Sequence, residues 1–255
     1  MKIATWNVNS IKVRLPQVLT WLDSAQPDIL ALQELKVTNE NFPEQAILEA
    51  GYQVVYAGQK TYNGVAILSR HSAQAVLTDI PTLVDPQRRI LVASIGDVRV
   101  INLYVPNGQS IDSPKFAYKL DWLAKVGEFI QQQLTHHPRL VVLGDFNIAP
   151  MDQDVHDPAA WEGSVLVSEP ERQTFADWLA LGLVDSFRLF DQAERSFSWW
   201  DYRQLAFRRN RGLRIDHILV SQALVSQCRT CYIDKEPRRW ERPSDHTLVV
   251  AEFDE

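Results

Sequence analysis

The sequence has few cysteines and no long apolar run, and each of these two features argues against a class of protein. Its two cysteines, Cys228 and Cys231, lie in the strand-like stretch QCRTCYID. A zinc site would need two more ligands nearby, and a redox pair should open a helix after a strand, so we interpret both as reduced thiols. No segment approaches the ~18 apolar residues of a spanning helix, so we expect no membrane association.

The chain also lacks linkers rich in glycine and serine or in proline, which favours a single domain over residues 1–255. The opening MKIATWNVNS contains no apolar segment long enough for a signal peptide, and this favours a cytoplasmic protein. The composition, 45% hydrophobic and 23% charged, is typical of a globular protein with a large core.

The charge distribution gives two opposed indications about a nucleic-acid partner. The net charge of −6 argues against one. However, arginines cluster in DPQRRI, YRQLAFRRNRGLR and PRRWERPSDH, beside Trp200, Tyr202, Phe207 and Trp240. Arginines interleaved with aromatic residues are typical of a surface that contacts phosphates, although a solvated loop surface would also explain these stretches.

Short β-rich stretches dominate the chain, with helical patterns between some of them. Nine such stretches, from KIATWNVN to HTLVVAEF, are mostly flanked by glycine, asparagine, aspartate or proline. The clearest helix is predicted over residues 114–134, with Ser113 as N-cap and Pro114 in the first turn. Further helices are predicted over 13–25, over 43–50 and in SEPERQTFADWLALGLVD. Many strands with few helices favour sheets that pack on each other and are flanked by helices.

Polar residues recur where these predicted strands end or begin. Each one alone is explained as a turn residue, because aspartate and asparagine often terminate strands. Asp216 is harder to explain, since it interrupts an apolar run and a buried carboxylate needs a partner such as His246. The recurring residues are Asn7, Asn9, Glu34, Tyr104, Asn107, Asp145, Asn147, Asp216, Asp245 and His246.

Together these residues predict an oxygen-rich site. Carboxylates and amides suit Mg²⁺ or Mn²⁺ rather than zinc, because these cations prefer oxygen ligands. A histidine held by a buried aspartate can carry a proton or a positive charge towards an anion. Asp145 and Asn147 are two residues apart, so an extended chain would point both side chains the same way. Metal, cation and neutral donors at one place are typical of phosphoryl transfer.

Six motifs carry a resemblance to a known family: TWNVNS, DILALQELK, YNGVAILSR, LGDFNIAP, GLRIDHILVS and RPSDHTLVV. From Lys2 to Phe253 the chain resembles the exonuclease III family of Mg²⁺-dependent abasic-site endonucleases, within the endonuclease/exonuclease/phosphatase superfamily. GDFN and SDH are common to the superfamily, whereas LQELK, DSPKF and FSWWDYR followed by RGLRIDH indicate the DNA-repair branch. The resemblance implies an α/β fold, a four-layer α/β sandwich of two mixed β-sheets packed face to face and flanked by helices.

The resemblance also implies roles for individual residues. Glu34 would hold the metal, Asp145 would orient or deprotonate the attacking water, and Asn147 would donate to the phosphate. His246 would contact the scissile phosphate and be oriented by Asp216. Tyr104 would lie by the phosphate or the leaving group. The predicted metal ligands are Asn7, Glu34, Asp145, Asn147, Asp245 and His246, for Mg²⁺ with Mn²⁺ as a substitute.

The expected partner is double-stranded DNA with abasic sites or 3′ ends, bound by a monomer. Trp199 and Leu213 are predicted walls of a tight apolar pocket for an abasic sugar, with Trp200 in the core. The loop over residues 151–173, with Leu166 near its end, would help to decide which distorted nucleotides enter. The predicted DNA-binding residues are Arg88, Asn107, Trp199, Arg209 and Leu213.

Two other functions compete with a DNA phosphodiesterase. One is a phosphatase of a small phosphorylated lipid or inositol, which the arginine and tryptophan clusters disfavour because a small substrate needs no long basic rim. The other is a member of the superfamily that only binds nucleic acid or protein. Such a protein should have lost carboxylates or the histidine, and this chain retains them.

Overall fold

The protein forms two six-stranded β-sheets, seen here in a computed structural model that describes residues 1–254. The strands are β1 (Lys2–Asn7), β2 (Ile29–Gln33), β3 (Gln53–Ala57), β4 (Val65–Ser69), β5 (Ala73–Leu77), β6 (Ile90–Ile95), β7 (Val98–Tyr104), β8 (Leu140–Asp145), β9 (Leu183–Asp185), β10 (Asp216–Ser221), β11 (Cys228–Asp234) and β12 (Leu248–Phe253). The first sheet has the order β11-β12-β1-β2-β4-β3, and the second has the order β5-β6-β7-β8-β10-β9. Both are mixed, since β1 is parallel to β2 and β7 is parallel to β8 while their other neighbours are antiparallel.

Helices cover the two outer faces of the sheets. They are α1 (Ile11–Ala25), α2 (Glu44–Glu49), α3 (Pro114–His136), α4 (Pro158–Trp161), α5 (Glu169–Ala180) and α6 (Gln222–Val225). Apolar residues of α1 and α2 pack on the first sheet, and those of α3 and α5 pack on the second. The largest apolar cluster lies between the sheets. The predicted four-layer α/β sandwich is therefore confirmed. No helix in residues 1–254 has both the length and the apolarity to cross a membrane.

Strand alternation explains why polar residues gather at one end of the space between the sheets. In β1, Ile3 packs between the sheets whereas Ala4 and Trp6 pack under the helices, so the same alternation turns Asn7 inward. Asp145 follows the inward Val141 and Leu143 of β8 in the same way. β1 is parallel to β2, and β8 is antiparallel to β10. The C-terminal ends of β1, β2 and β8 and the start of β10 therefore meet at one end of the sandwich.

The predicted elements match the structure except for β5, β9, α4 and α6. The helix with the Ser113 cap is confirmed, because the Ser113 hydroxyl accepts a hydrogen bond from the Phe116 amide at 3.1 Å. Strands β5 and β9 are absent from the prediction, since the first is short and largely exposed at a sheet edge and the second has three residues. The segment 151–173 is not only loop, because it contains α4, whereas α5, which begins at Glu169, agrees with the helix predicted in SEPERQTFADWLALGLVD.

A buried network of charged residues lies beside β10. The guanidinium of Arg214 donates to Asp154 at 2.7 Å and to Asp185 at 2.8 Å. His217 is fully buried, with Nδ1 at 3.2 Å from Arg214 and Nε2 at 2.8 Å from the carbonyl of Ile148. Burial and the Arg214 charge lower the pKa of His217 from 6.5 to about 4. The folded protein therefore keeps this imidazole neutral at neutral pH.

This histidine predicts a loss of stability in mild acid. In the unfolded chain His217 takes up a proton as the pH falls below 6.5, whereas the folded chain does so only near pH 4. The contribution of neutral His217 to the free energy of unfolding is thus complete above pH 6.5. About 3 kcal/mol of it is lost as the pH falls towards 4. We expect His217→Gln to flatten the fall in melting temperature between pH 6.5 and 4.5, as measured by differential scanning fluorimetry. Equal slopes for both proteins would contradict this account.

Candidate active site

Two carboxylates and a histidine form the centre of the site. Glu34, Asp145 and His246 each offer a ligand atom, and these atoms all lie within 4.8 Å of one another. Glu34 follows β2 with a positive φ of 54°, Asp145 ends β8, and His246 precedes β12. This triad was predicted as part of a metal site, and the structure brings all three side chains together.

Asn7 joins the two carboxylates. Its Nδ2 donates to Glu34 Oε1 at 2.9 Å and to Asp145 Oδ2 at 2.8 Å, while its Oδ1 accepts from the amide of Asn9 at 3.0 Å. The amide nitrogen, which cannot bind a metal, therefore faces the carboxylates. Asn7 acts here as a donor that orients the two acids, and its role as a metal ligand stays a prediction.

Glu34 is held in its charged form by its neighbours. Burial alone would raise its pKa, but Lys36 at 3.0 Å and the Asn7 amide outweigh burial and lower it. The Tyr104 hydroxyl donates to Glu34 Oε1 at 2.8 Å. Burial and the charges of Glu34 and Asp145 raise the pKa of Tyr104 well above its usual value of 10. Tyr104 is therefore a neutral donor beside the triad, as predicted from its position at the end of β7.

The predicted pair of His246 and Asp216 is confirmed as a contact. Nδ1 of His246 lies 2.9 Å from Asp216 Oδ2, which also accepts from the Ser198 hydroxyl at 2.7 Å. Burial by itself lowers the pKa of His246, but the carboxylates of Asp216 and Asp145 outweigh it and raise the pKa to about 10. At neutral pH the imidazole is therefore a cation. Asp216 begins β10 rather than lying in a strand interior, yet it is fully buried, as expected.

Asp145 is the carboxyl group of the triad whose pKa is raised. Burial raises its pKa to about 7, although His246, with Nε2 at 3.6 Å from Oδ2, lowers it. The backbone before it is tightly constrained, because a Cβ on Gly144 would lie 1.9 Å from the carbonyl oxygen of Leu103 and φ is +138°. Only glycine fits there, so the close pairing of β7 and β8 fixes the position of this carboxylate.

Asn147 reaches the site by a different route from the predicted one. Strand β8 ends at Asp145, and Asn147 has a positive φ of 49° rather than an extended backbone. Its amide donates to Asp145 Oδ1 at 3.0 Å, which closes a turn. Its Nδ2 donates to the carbonyl of Val105 at 2.9 Å, and its Oδ1 lies 3.4 Å from Nδ2 of Asn107. The extended-chain explanation is therefore wrong, because a turn places the backbone amide of Asn147 on the Asp145 carboxylate.

Asp245 lies outside the triad. Its Oδ1 accepts from Nδ2 of Asn9 at 3.0 Å, and its Oδ2 accepts from Nε1 of Trp199 at 3.0 Å. The carboxylate thus joins the TWNVNS segment to the tryptophan loop. Its predicted contact with a metal ion stays a prediction.

The two adjacent tryptophans face different environments, as predicted. Trp200 is fully buried, whereas Trp199 is partly exposed and lines a cleft of about 400 Å³ with Trp161, His156 and Arg211. Leu213 is different, because it is fully buried beneath Trp199 in a small apolar cluster. The prediction of Leu213 as a DNA-facing wall is wrong for this conformation, since no part of its side chain reaches solvent.

A second cleft, of about 760 Å³, opens beside Glu34 of the triad. It is lined by Glu34, Tyr104 and Asn107 and by the cations Lys36, Arg89 and Lys115. We call it the polar cleft and the other one the tryptophan cleft. The guanidinium of Arg88 pairs instead with Asp79 at 3.0 Å. The predicted DNA-binding residue Arg209 is exposed and lines neither cleft.

Sequence reasoning missed several residues that complete the site. Lys36 and Ser198 lie within quoted motifs, but nothing in their spacing distinguishes them from ordinary surface residues. Arg89 is adjacent to the predicted Arg88, and the sequence cannot tell which of two neighbouring arginines faces a cleft.

Comparison with known proteins places this site in a family. Residues 4–246 match the family model described as the endonuclease/exonuclease/phosphatase family. The chain is 36% identical to exodeoxyribonuclease III of Haemophilus influenzae, over 99% of this chain and 100% of that protein. It is 51% identical, with a TM-score of 0.98, to a structure described as the 3′ phosphatase NExo from Neisseria bound to a product DNA hairpin. It is 41% identical, with a TM-score of 0.97, to an AP endonuclease from Archaeoglobus fulgidus, and each structural match covers 100% of both chains.

The architecture and the buried acidic site therefore have the same explanation: the chain belongs to the endonuclease/exonuclease/phosphatase family. Within it, the similar proteins are of the exonuclease III and AP endonuclease type. The resemblance seen in the sequence motifs is confirmed.

Proposed function

We propose that this protein is a metal-dependent DNA-repair phosphodiesterase of a single catalytic domain. It cuts duplex DNA 5′ to abasic sites and removes nucleotides or blocking groups from 3′ ends. The observation that carries the proposal is the triad of Glu34, Asp145 and His246, with His246 bound to the buried Asp216. The exodeoxyribonuclease III and AP endonuclease names of its relatives support this substrate class.

The donor set fits Mg²⁺, with Mn²⁺ as a substitute. Two carboxylates of different strands converge on one point, and oxygen donors are what these cations prefer. Glu34 and Asp145 would hold the ion. When bound, the ion neutralises negative charge on the phosphate. The high pKa of His246 keeps that side chain protonated, which suits contact with an anion better than metal ligation.

Each residue of the site has a different role in hydrolysis. Asp145 accepts the proton of the attacking water, since its carboxylate lies at the centre of the site and His246 is already protonated. His246 places a positive charge against the phosphate, and Asn147 and Tyr104 offer neutral donors. The water oxygen bonds to phosphorus, the bond to the 3′ oxygen breaks, and that oxygen takes a proton from solvent, so the products are a 3′-hydroxyl and a 5′-phosphate.

Glu34 provides a test of the metal site. Glu34→Gln keeps the shape of the side chain but removes the charge that Lys36 and Asn7 stabilise. We expect the Mg²⁺ concentration for half-maximal cleavage to rise about tenfold or more, because a charged oxygen ligand is lost. The measurement is a Mg²⁺ titration of cleavage rates, with Glu49→Gln on the exposed face of α2 as the control. A titration curve equal to that of the wild type would remove Glu34 from the metal site.

The two clefts suit a duplex that passes over the triad. The polar cleft offers Lys36, Arg89 and Lys115 to phosphates, and the tryptophan cleft offers aromatic surface beside Arg203 and Arg211. Phosphate contacts position DNA without reading its sequence. We propose that a monomer binds in this way, in the cytoplasm.

Variants of Trp199 and Arg209 test two different properties, the preference for abasic duplexes and the affinity for any duplex. We expect Trp199→Ala to reduce the preference for abasic over intact duplex, because it removes the aromatic wall of the tryptophan cleft. We expect Arg209→Ala to weaken binding to all duplexes and to lower the salt slope by about 1. Cleavage of matched abasic and intact duplexes over a salt series measures both effects. If Trp199→Ala lowers the melting temperature by several degrees yet keeps the preference, the selective pocket lies elsewhere.

A substrate panel tests the proposed function. The panel contains an abasic duplex, an intact duplex with a recessed 3′ end, a duplex with a 3′-phosphate and a phosphoinositide, each with Mg²⁺ or EDTA. We expect Mg²⁺-dependent turnover of DNA and none of the phosphoinositide. Turnover of the phosphoinositide alone would overturn the proposal in favour of a small-molecule phosphatase, and binding without turnover would show a non-catalytic protein.

A protein that acts mainly as a 3′ phosphatase, with little cleavage at abasic sites, is the second candidate function. It is favoured by the 51% identity to the Neisseria protein whose structure is described as a 3′ phosphatase. Both functions use the same triad, because each hydrolyses a phosphate ester. The ratio of rates on the abasic duplex and on the 3′-phosphate duplex decides between them.

A further inference from the structure

A fully buried lysine lies beneath the active site. The side chain of Lys119, on α3, has no exposed surface. Its ammonium donates to the carbonyl of Asn147 at 2.7 Å, to the carbonyl of Asn107 at 3.2 Å, and to Glu171 in a close ion pair. An ammonium has three protons, so all of them are used. Burying such a charge costs free energy that these partners must offset.

Two of these acceptors belong to residues that face the site. Asn107 follows β7 and lines the polar cleft, and Asn147 follows β8 and bonds to Asp145. Their side chains also meet, with Asn107 Nδ2 at 3.4 Å from Asn147 Oδ1. The lysine stem packs closely under this pair, since a Cβ on Gly108 would lie 3.2 Å from Cδ of Lys119. Lys119 therefore sets the separation of the two backbone segments that present these amides.

The third acceptor connects the lysine to the loop before α5. Glu171 is also fully buried, and it accepts from the amide of Leu166 at 3.0 Å and from that of Ser168 at 3.1 Å. The carbonyl of Leu166 in turn accepts from the amide of Ala149 at 2.8 Å. The ion pair thus joins the segments after β7, after β8 and before α5 at one buried point.

We propose that Lys119 is a positioning residue for phosphate hydrolysis, which holds the Asn107 and Asn147 segments at the spacing that the reacting phosphate requires. The proposal rests on the proposed function, because it concerns the rate of the same reaction. The hydrogen bonds from the ammonium to the two carbonyls affect the reaction rate, because they position the Asn107 and Asn147 segments. The ion pair with Glu171 stabilises the folded protein.

This division of roles predicts different effects for two variants. Glu171→Gln keeps the lysine and its bonds to the carbonyls, so kcat should stay within about threefold while the melting temperature falls. Lys119→Met with Glu171→Gln removes both buried charges, so no unpaired ion remains to destabilise the fold. In this double variant we expect kcat on the abasic duplex to fall about 10- to 100-fold with KM within about twofold, because a misplaced group slows the chemical step.

The test compares kcat, KM and melting temperature for both variants, with Arg99→Met as the control. Arg99 is another buried cation, at the opposite end of β7 from Tyr104, and it is held by Gln133, Ser94 and the carbonyl of Ala75. We expect Arg99→Met to lower the melting temperature and leave kcat unchanged. A double variant that folds with wild-type kcat would overturn the proposal. If the double variant does not fold, a large loss of kcat in Glu171→Gln would overturn it, and a retained kcat would support it.

Amide hydrogen exchange without DNA separates this proposal from the proposed function. We expect faster exchange in residues 105–109 and 146–149 of the double variant, and no change there in Arg99→Met. If the wild type cleaves no DNA in the substrate panel, the proposed function fails, yet the exchange rates still show whether Lys119 orders these segments. Unchanged exchange in the double variant would contradict the positioning role.

Discussion

We expect the replacement of Asp145 by asparagine to lower kcat on an abasic duplex by about 10³-fold, within the range by which a positioned acid or base accelerates proton transfer. The amide keeps the shape of the side chain and its contact with the Asn147 backbone, but it cannot take a proton from water. Stability should not fall, because Asp145 is buried near Glu34 and Asp216 and burial disfavours its charge. We therefore expect a melting temperature at or above that of the wild type.

Single-turnover cleavage at saturating Mg²⁺ measures this effect without interference from product release. Asp152→Asn is a suitable control, because that carboxylate is largely exposed and pairs with Arg172 at 2.8 Å. The control should keep wild-type kcat. Cleavage by Asp145→Asn within tenfold of the wild type would show that another group accepts the proton.

The second large effect concerns the pair of His246 and Asp216. We expect His246→Asn and Asp216→Asn each to slow cleavage about 10²- to 10³-fold, since each removes the cation or the carboxylate that keeps it charged. The double variant should be slower than the slower single variant by less than about tenfold, because residues that act as a unit are not additive. The contact at 2.9 Å and the pKa of about 10 give the physical reason.

A double-mutant cycle on kcat provides the measurement. Ser198→Ala serves as a partial variant, because it removes one hydrogen bond to Asp216 and leaves the carboxylate in place. Its effect should be smaller than that of Asp216→Asn. Additive losses in the cycle would mean that the two side chains act independently.

Much of the site follows from strand alternation that is visible in the sequence. The polar residues that end β1, β7 and β8 follow inward-facing apolar residues, so a reader of the sequence can place Asn7, Tyr104 and Asp145 in the same layer. The pairing of His246 with Asp216 follows from the cost of an isolated buried carboxylate. These inferences succeed because they depend on periodicity and burial.

The rest depends on backbone conformations and packing that spacing does not encode. Asn147 reaches Asp145 through a turn with positive φ, which an extended chain does not predict. Leu213 carries an apolar side chain beside arginines in sequence, but the fold buries it under Trp199. Lys119 reads as a polar helix position, and only the structure shows that its ammonium lies among three buried acceptors.

The most direct test of the account is the cleavage of a duplex with one abasic analogue by the wild-type protein, after removal of metal and after return of Mg²⁺. We expect no cleavage in EDTA and, with Mg²⁺, a single cut 5′ to the lesion that leaves a 3′-hydroxyl. Asp145→Asn should give no such cut on the same time scale. Cleavage at equal rates with EDTA and with Mg²⁺, or a cut on the 3′ side of the lesion, would contradict the account.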